Sequence, residues 1–293
     1  MQCLKPNKGY YNSNGQHVFG TSPTGHEQEH DIPCGYCEPC RTNKAKLRGF
    51  KSFTNSLYVE HAMFITLTYG QFCPITPNYS YTLDKTAIPR FVKRLRKHVE
   101  TESPGTKIGV LYCGEYGDQD DRPHYHLIIF NYNFTDRYHW RKTKKGHDLD
   151  RSPSLEKLWT HGFSEIGSVT AASCTYVATY IYKKKYGKNA QDFYGDREPE
   201  YVVTPKKNFV VGREFIRQNI DSIATHGCFK TIEGYSIGID THTMKWIETE
   251  YPEHALKIKL QKESYDLRKM DKKELYAWEL TQAQHNELKK ARR

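Results

Sequence analysis

Residues 107–132 hold two apolar runs, KIGVLYCGEYG and HYHLIIFNY, joined by the polar stretch DQDDRP. Both runs are rich in β-branched and aromatic residues, and so short a polar connection turns one back beside the other as an antiparallel hairpin. The second run opens with His124 and His126 before Leu127, Ile128, Ile129 and Phe130 carry it into a core. Residues two apart on a strand share a face, so the two imidazoles project together. Glu115 closes the first run, and folding back through the turn can bring its carboxylate beside them. One carboxylate and two imidazoles with open positions suit Mg²⁺ or Mn²⁺, which keep waters and take substrate oxygens; Zn²⁺ also fits. Asp118, Asp120 and Asp121 are rival carboxylates, although a hairpin turn is polar in any case. H-x-H alone also occurs for purely structural reasons, so a metal reading needs the rest of the chain.

The flanking sequence predicts an α+β chain. MFITLTYG (63–70) reads as a strand, and IPRFVKRLRKHVE (88–100) as a basic helix with Phe91, Leu95 and Val99 on one face. Apolar positions at Ala45, Leu47, Phe50, Phe53 and Leu57 are spaced for a helix over 41–60, weakened by Gly49. Residues 133–153 are charged and weakly patterned, as in a surface insertion, and 152–163 form a short helix stopped at Gly162. TAASCTYVATYIYKKKYG (170–187) is a helix whose last turns carry Lys183, Lys184 and Lys185, with Gly187 as its stop. Residues 199–245 give strand-like pieces, and 253–293 a charged helical tail in which Asp271–Glu274 has the form of a helix start.

On the helix over 170–187, Tyr176 and Tyr180 stand four apart, one turn apart on one face. Tyr182 and Tyr186 share that spacing, but they lie in the lysine-rich end, where a solvated turn is expected. A metal on a strand face and a tyrosine pair on a helix together point to cleavage of a phosphodiester. The metal would polarise a non-bridging oxygen, and a phenol of pKa near ~10 would attack with help from Lys183 or Lys184. Attack leaves a 5′-phosphotyrosine and a free 3′-OH that can reseal without ATP. A second tyrosine allows a second cut while the first is occupied.

In order and spacing, FITLTYG, GEYG…RPHYHLIIF and YVATYIYKK resemble the three motifs of HUH endonucleases. They are more closely similar to the replication initiators of gokushovirus-type Microviridae, small single-stranded DNA phages. The likeness takes in MQCLKP, CGYCEPCR, FVKRLRK and LWTHGFSEIGSV and covers residues 1–187, with a fainter trace around TPKKNFVVGREF. It implies a ferredoxin-like or RRM-like central antiparallel sheet, the H-x-H strand central and the tyrosine helix beside it. It also implies rolling-circle initiation at a phage origin, with single-stranded and origin DNA, host helicase and DNA polymerase as partners. Carried onto this chain, His124, His126 and Glu115 match the catalytic metal ligands, Tyr176 and Tyr180 the nucleophiles, and Lys183 the basic residue beyond them. Thr179 stands where the family has Lys or Arg three past the first tyrosine, which favours Tyr180 as the opening nucleophile. Thr66 and Thr68 match a first motif that is mostly structural. The implied division is a cysteine-rich segment over 1–60, the catalytic domain over 61–245 and a charged helical extension over 246–293.

Cys34, Cys37 and Cys40 form C-x₂-C-x₂-C, and Cys3 can close a four-thiolate zinc site. An iron–sulfur cluster shares such spacing, and His26 or His30 could stand in for Cys3. Cys73, Cys113, Cys174 and Cys228 are isolated and read as core thiols. Lys and Arg number 44 against 34 Asp and Glu, a formal +10, which favours a polyanionic partner. Arg90, Lys93, Arg94, Arg96, Lys97, Lys184 and Lys185 are the candidate phosphate contacts. The first twenty residues hold no apolar run and no stretch approaches a membrane span, so the host cytoplasm is expected. The reading from another class is a non-catalytic, zinc-containing nucleic-acid-binding protein. The nearer rival is a plasmid initiator, relaxase or transposase with the same chemistry.

Overall fold

A computed structural model of the chain describes residues 3–11, 17–22, 24, 29–70, 82–117, 121–183, 189–205, 209–231 and 234–264, the side chains of 180–183 among those left out. The first elements are three short strands, β1 (Asn7–Tyr11), β2 (His17–Phe19) and β3 (Glu29–Ile32), paired antiparallel in the order β2-β1-β3. Helix α1 (Glu38–Ser56) follows, then β4 (Ala62–Tyr69), α2 (Ala87–Glu102), β5 (Gly109–Tyr116) and β6 (Pro123–Phe130). Next come β7 (Tyr138–Lys142), β8 (Asp148–Arg151), α3 (Pro153–Leu158), β9 (Gly162–Ser168), α4 (Ala171–Lys183), α5 (Asn189–Tyr194) and β10 (Tyr201–Val203). The last described elements are α6 (Arg213–Gln218), α7 (Ile220–His226), β11 (Phe229–Lys230), β12 (Ser236–Ile237), α8 (Thr241–Glu250) and α9 (Pro252–Ser264).

The large sheet has the order β10-β5-β6-β4-β9-β8-β7 with antiparallel pairing throughout. The predicted hairpin is β5–β6, and β6 is flanked on both sides, so its apolar run is buried without alternation. In β4, by contrast, Met63, Ile65, Leu67 and Tyr69 are buried and the residues between them half-exposed. That alternation shows that the two faces of the sheet differ. On one face Met63, Ile65, Leu67, Leu127 and Ile129 pack against Phe91 and Leu95 of α2, with Leu155 and Trp159. On the other, Leu111, Cys113, Ile128 and Phe130 meet Cys174 and Val177 of α4, with Phe53 of α1 beside them. Helices α1 and α4 lie against each other. A Cβ at Gly49 would come 3.2 Å from the Thr175 Cα, so the glycine that weakens α1 by propensity is what lets the two backbones approach.

Several elements differ from the sequence reading. The expected surface insertion is a solvent-exposed hairpin, β7–β8, that extends the sheet; its exposed side chains erase the alternation that marks a strand. Beyond Gly162, β9 pairs with β4, and its short GFSEIGS run carries no apolar alternation. The strand-like pieces expected over 199–245 are mostly helical. Ile216, Ile220, Ile223, Phe229, Ile247 and Ile258 build a second core there, closed by Leu47 and Phe50 of α1. The expected division at 245/246 falls inside α8, and the predicted helix start at Asp271 lies outside the described residues. Among the described residues no helix is long and apolar enough to cross a membrane.

Candidate metal and nucleophile site

Register places the site. In the β5–β6 ladder Glu115 stands directly opposite His124, and Cys113 opposite His126; in the β4–β6 ladder Thr66 faces His126 and Thr68 faces His124. Directly opposed residues share a face, and parity puts all of these on the face that carries α4. Glu115 Oε1 lies 2.7 Å from His124 Nε2 and 2.7 Å from His126 Nε2. The carboxylate is about 1% exposed, a position in which an unpaired charge would be costly. Burial alone would raise the Glu115 carboxyl; the hydrogen bonds and charges of His124 and His126 outweigh it and hold the group at about 2.

Each imidazole is also held from behind. His124 Nδ1 donates to the Arg122 carbonyl at 3.0 Å, which turns Nε2 towards the cluster. His126 Nδ1 lies 3.0 Å from Thr66 Oγ1, and its ring stacks on Phe64. Thr66 is therefore more than the structural residue expected of the first motif. The signal that could have found it is its place on β4 at strand parity with the imidazole face. Helix α4 completes the site. The Tyr176 hydroxyl donates to Glu115 Oε1 at 3.1 Å, and its ring lies edge-on to His126 with centroids 5.1 Å apart. Tyr176 is nonetheless 44% exposed, so the phenol sits at an accessible edge. Thr179 does not point a cation at the site; its hydroxyl bonds back to the Tyr176 carbonyl.

Glu115, His124 and His126 can thus each turn one ligand atom to a common point, with these atoms within 4.8 Å of one another. Metal–ligand bonds of about 2.0–2.2 Å place neighbouring ligands roughly 3 Å apart, close to the spacing here. A hard carboxylate with two borderline imidazoles fits a divalent cation that also takes oxygen ligands. Of the rival carboxylates, Asp121 is exposed and pairs with Arg197, and Asp118 and Asp120 lie outside the described residues.

A second cluster joins Cys3, Cys34, Cys37 and Cys40, whose sulfurs also lie within 4.8 Å of one another. Cys37 is the N-cap of α1, and Cys40 lies in its first turn, where the helix dipole favours thiolates. Backbone N–H groups reach the sulfurs, Cys34 to Cys3 at 3.2 Å and Cys37 to Cys34 at 3.3 Å. Burial opposes ionisation of Cys34, but the N–H groups of Cys37 and Tyr36 bring its thiol down to about 7. Burial pushes the Cys3 and Cys40 thiols up, so four thiolates here call for a bound cation. All four thiols are free of disulfides, and Cys3 is the fourth member as the spacing predicts. Cys113 and Cys174 are buried core thiols and Cys228 is half-buried; Cys73 lies outside the described residues.

Not every predicted residue gathers at the site. Arg90, Lys93, Arg96 and Lys97 are exposed on α2, and Arg94 donates to the Leu158 carbonyl at 2.9 Å. Helix α2 covers the face opposite the imidazoles, so these cations do not line it. Tyr180 and Lys183 belong to α4, but their side chains, like all of Lys184 and Lys185, lie outside the described residues.

The fold and site define an α+β domain with a large antiparallel sheet, one carboxylate–imidazole cluster beside a tyrosine and one four-cysteine cluster. Residues 62–185 match the family model for the phage replication-associated protein ORF2. The chain is 29% identical over 266 residues to Replication-associated protein VP4 of Bdellovibrio phage phiMH2K, covering 89% of this chain and 83% of that one. It is 29% identical over 202 residues to Replication-associated protein ORF2 of Spiroplasma virus 4, covering 63% of this chain and 61% of that one. With Replication-associated protein ORF4 of Chlamydia phage 1 it shares 31% identity over 166 residues, 52% of this chain and 38% of that one. No solved structure matches the chain. The resemblance to a Microviridae-type replication initiator therefore holds: the chain is a relative of phage replication-associated proteins, and its β4–α4 segment carries their shared replication-associated domain.

Proposed function

We propose that this chain is a metal-dependent DNA nicking and joining enzyme of the HUH type that starts rolling-circle replication of a small single-stranded DNA phage. One observation carries the reading. A single carboxylate oxygen, Glu115 Oε1, accepts from the Tyr176 hydroxyl at 3.1 Å and lies 2.7 Å from both imidazole nitrogens, so a nucleophile meets a ligand set at one point. Neither duplex positioning nor passive strand binding needs that meeting.

Glu115, His124 and His126 would hold the cation, Mg²⁺ or Mn²⁺. When bound, it would supply Lewis-acid polarisation of a non-bridging phosphate oxygen. The remaining work falls to the chain. The Glu115 hydrogen bond aims the Tyr176 oxygen at the ligand cluster. That oxygen gives up its proton and bonds to phosphorus as the bond from phosphorus to the 3′ oxygen breaks, and the 3′ oxygen leaves as a hydroxyl. One phosphodiester is exchanged for another, so a later 3′-OH can reverse the step without ATP. Tyr180, one helical turn on, would make the second cut, and Lys183 in the last turn would ease loss of the phenolic proton. Of the two, Tyr176 is assigned the opening attack, against the expectation from Thr179. The four cysteines would hold a structural Zn²⁺ at the head of α1. Host helicase and polymerase would then work from the freed 3′-OH. That the relatives named above come from phages favours this reading over a plasmid initiator, relaxase or transposase.

The test is incubation with single-stranded phage plus-strand DNA and Mn²⁺, followed by a denaturing gel. A covalent 5′ adduct is expected, lost on chelation and in the Tyr176→Phe/Tyr180→Phe double variant. An adduct that survives in the double variant moves the nucleophile elsewhere, with Tyr182 next in line.

A further inference from the structure

We propose that Phe163 is a stacking platform for the base next to the cleaved phosphate, which rests on the nicking reading and extends it. Four strands put four residues in one cross-sheet row: Glu115 opposite His124, His124 opposite Thr68, and Thr68 opposite Phe163. Residues so opposed share a face. Phe163 therefore lies on the same face as the ligand cluster, two strand spacings or roughly 10 Å from His124.

Helix α4 packs over β5 and β6, and the row beyond it is open. Thr66 and Thr68 are half-exposed and Phe163 is 58% exposed. A single exposed apolar side chain is ordinary on a protein surface. Two features set this one apart. Its ring belongs to a strand that is fixed at that spot. Gly162 has φ +153°, and a Cβ there would fall 2.2 Å from the Gly70 nitrogen and 2.4 Å from the Thr68 oxygen, so only glycine lets β9 start so close to β4. The Gly70 N–H donates to the His161 carbonyl at 2.9 Å and the Trp159 indole N–H to the Thr68 carbonyl at 3.2 Å, pinning both strands. The second feature is its neighbourhood. Glu165, next along the same face, is bound by Arg141 at 2.8 Å, which brings a guanidinium to this side of the sheet in a chain of formal charge +10.

The occupant that fits is single-stranded DNA. A phosphate at the ligand cluster leaves its neighbouring base over Thr68 and Phe163, and every base offers a π-face to an aromatic ring. A protein helix would need several apolar residues in line, and Phe163 stands between Thr68 and the Arg141–Glu165 pair.

The probe is an oligonucleotide that the wild-type full chain captures covalently from a random single-stranded pool, with Mn²⁺. Binding is then measured by anisotropy in the Tyr176→Phe/Tyr180→Phe background, with and without Phe163→Ala. Stacking worth ~1–3 kcal/mol per base predicts a Kd raised roughly 5- to 150-fold, restored by Phe163→Trp. An abasic site beside the cleaved phosphate should weaken binding to the Phe163 protein but cost nothing further once Phe163 is Ala. Because the ring is exposed, urea unfolding should be unchanged by the substitution. An unchanged Kd, or abasic effects simply additive with Phe163→Ala at every flanking position, would overturn the assignment and leave the nicking reading intact. If the wild type captures no strand at all, the nicking reading falls and Phe163 falls with it.

Discussion

Replacing Gly49 separates the packing of α4 from its chemistry. A Cβ at this position meets Thr175 Cα and Oγ1 at 3.2 Å and its backbone nitrogen at 3.4 Å, so α4 must yield by a few tenths of an ångström even for alanine. Alanine in a helix interior gains about 1 kcal/mol over glycine by propensity, which offsets that strain. Gly49→Ala should therefore change stability by less than about 0.5 kcal/mol. Valine adds two methyl groups against the backbone of α4, where overpacking costs typically ~1–3 kcal/mol, and its propensity recovers little of it. Thr175 is the residue before Tyr176, whose hydroxyl reaches Glu115 across 3.1 Å. A shift of even part of an ångström there takes the phenol off its line, and an ångström of misplacement can cost up to ~100-fold. Gly49→Val is expected to lose about 1–3 kcal/mol in urea unfolding and to form the DNA adduct at least ~10-fold more slowly at a temperature where it remains folded. Gly49→Ala should keep most of its rate. A valine variant that is destabilised yet forms adduct at the wild-type rate would refute the claim that this contact positions the tyrosine. A valine variant with unchanged stability would refute the close approach itself.

Three further outcomes are expected. Thr66→Val keeps the shape of the side chain but removes the oxygen 3.0 Å from His126 Nδ1; titration calorimetry with Mn²⁺ should show affinity lower by roughly 10- to 100-fold. In the metal-free protein, Glu115 is depressed on folding from the ordinary 4.5 to about 2, so its carboxylate stabilises fully above pH ~5 and the effect is lost as pH falls through about 2. At about 1.4 kcal/mol per pKa unit this amounts to roughly 3 kcal/mol; Glu115→Gln should show that deficit in urea at pH 7 and a narrower one at pH 3, and a deficit independent of pH would contradict it. Elemental analysis should find about one zinc per chain, and Cys34→Ser should release it and lower the melting temperature; no zinc in the wild type would remove the cysteine-site claim.

The β5–β6 hairpin could be read directly from residues, because two buried strands and a polar turn leave a local pattern. Glu115, His124 and His126 were legible for the same reason: strand parity and one turn decide their faces. The four cysteines were legible because thiols at such spacing are costly to cluster without a cation. Tyr176 was legible only as one of two equal pairs. Its choice over Tyr182 depends on how α4 lies across β5 and β6, and that follows from Gly49 meeting Thr175, a contact between residues far apart in the chain. The basic helix α2 misled for a related reason. Its charges show that one side is solvated, but not which face of the sheet its apolar side covers.

What the sequence determined alone was the local alphabet of this protein: which segments pair, which residues could ligate, and which helix carries phenols. Only the tertiary structure decided which of these meet. It set α2 and α4 on opposite faces of one sheet, made Thr66 the support of His126, turned the 199–245 region into a helical core, and lined Phe163 up with the imidazoles through two ladders. Periodicity is fixed by neighbours along the chain, whereas the face against which an apolar stripe is buried is fixed by long-range packing, and no short window of sequence records it.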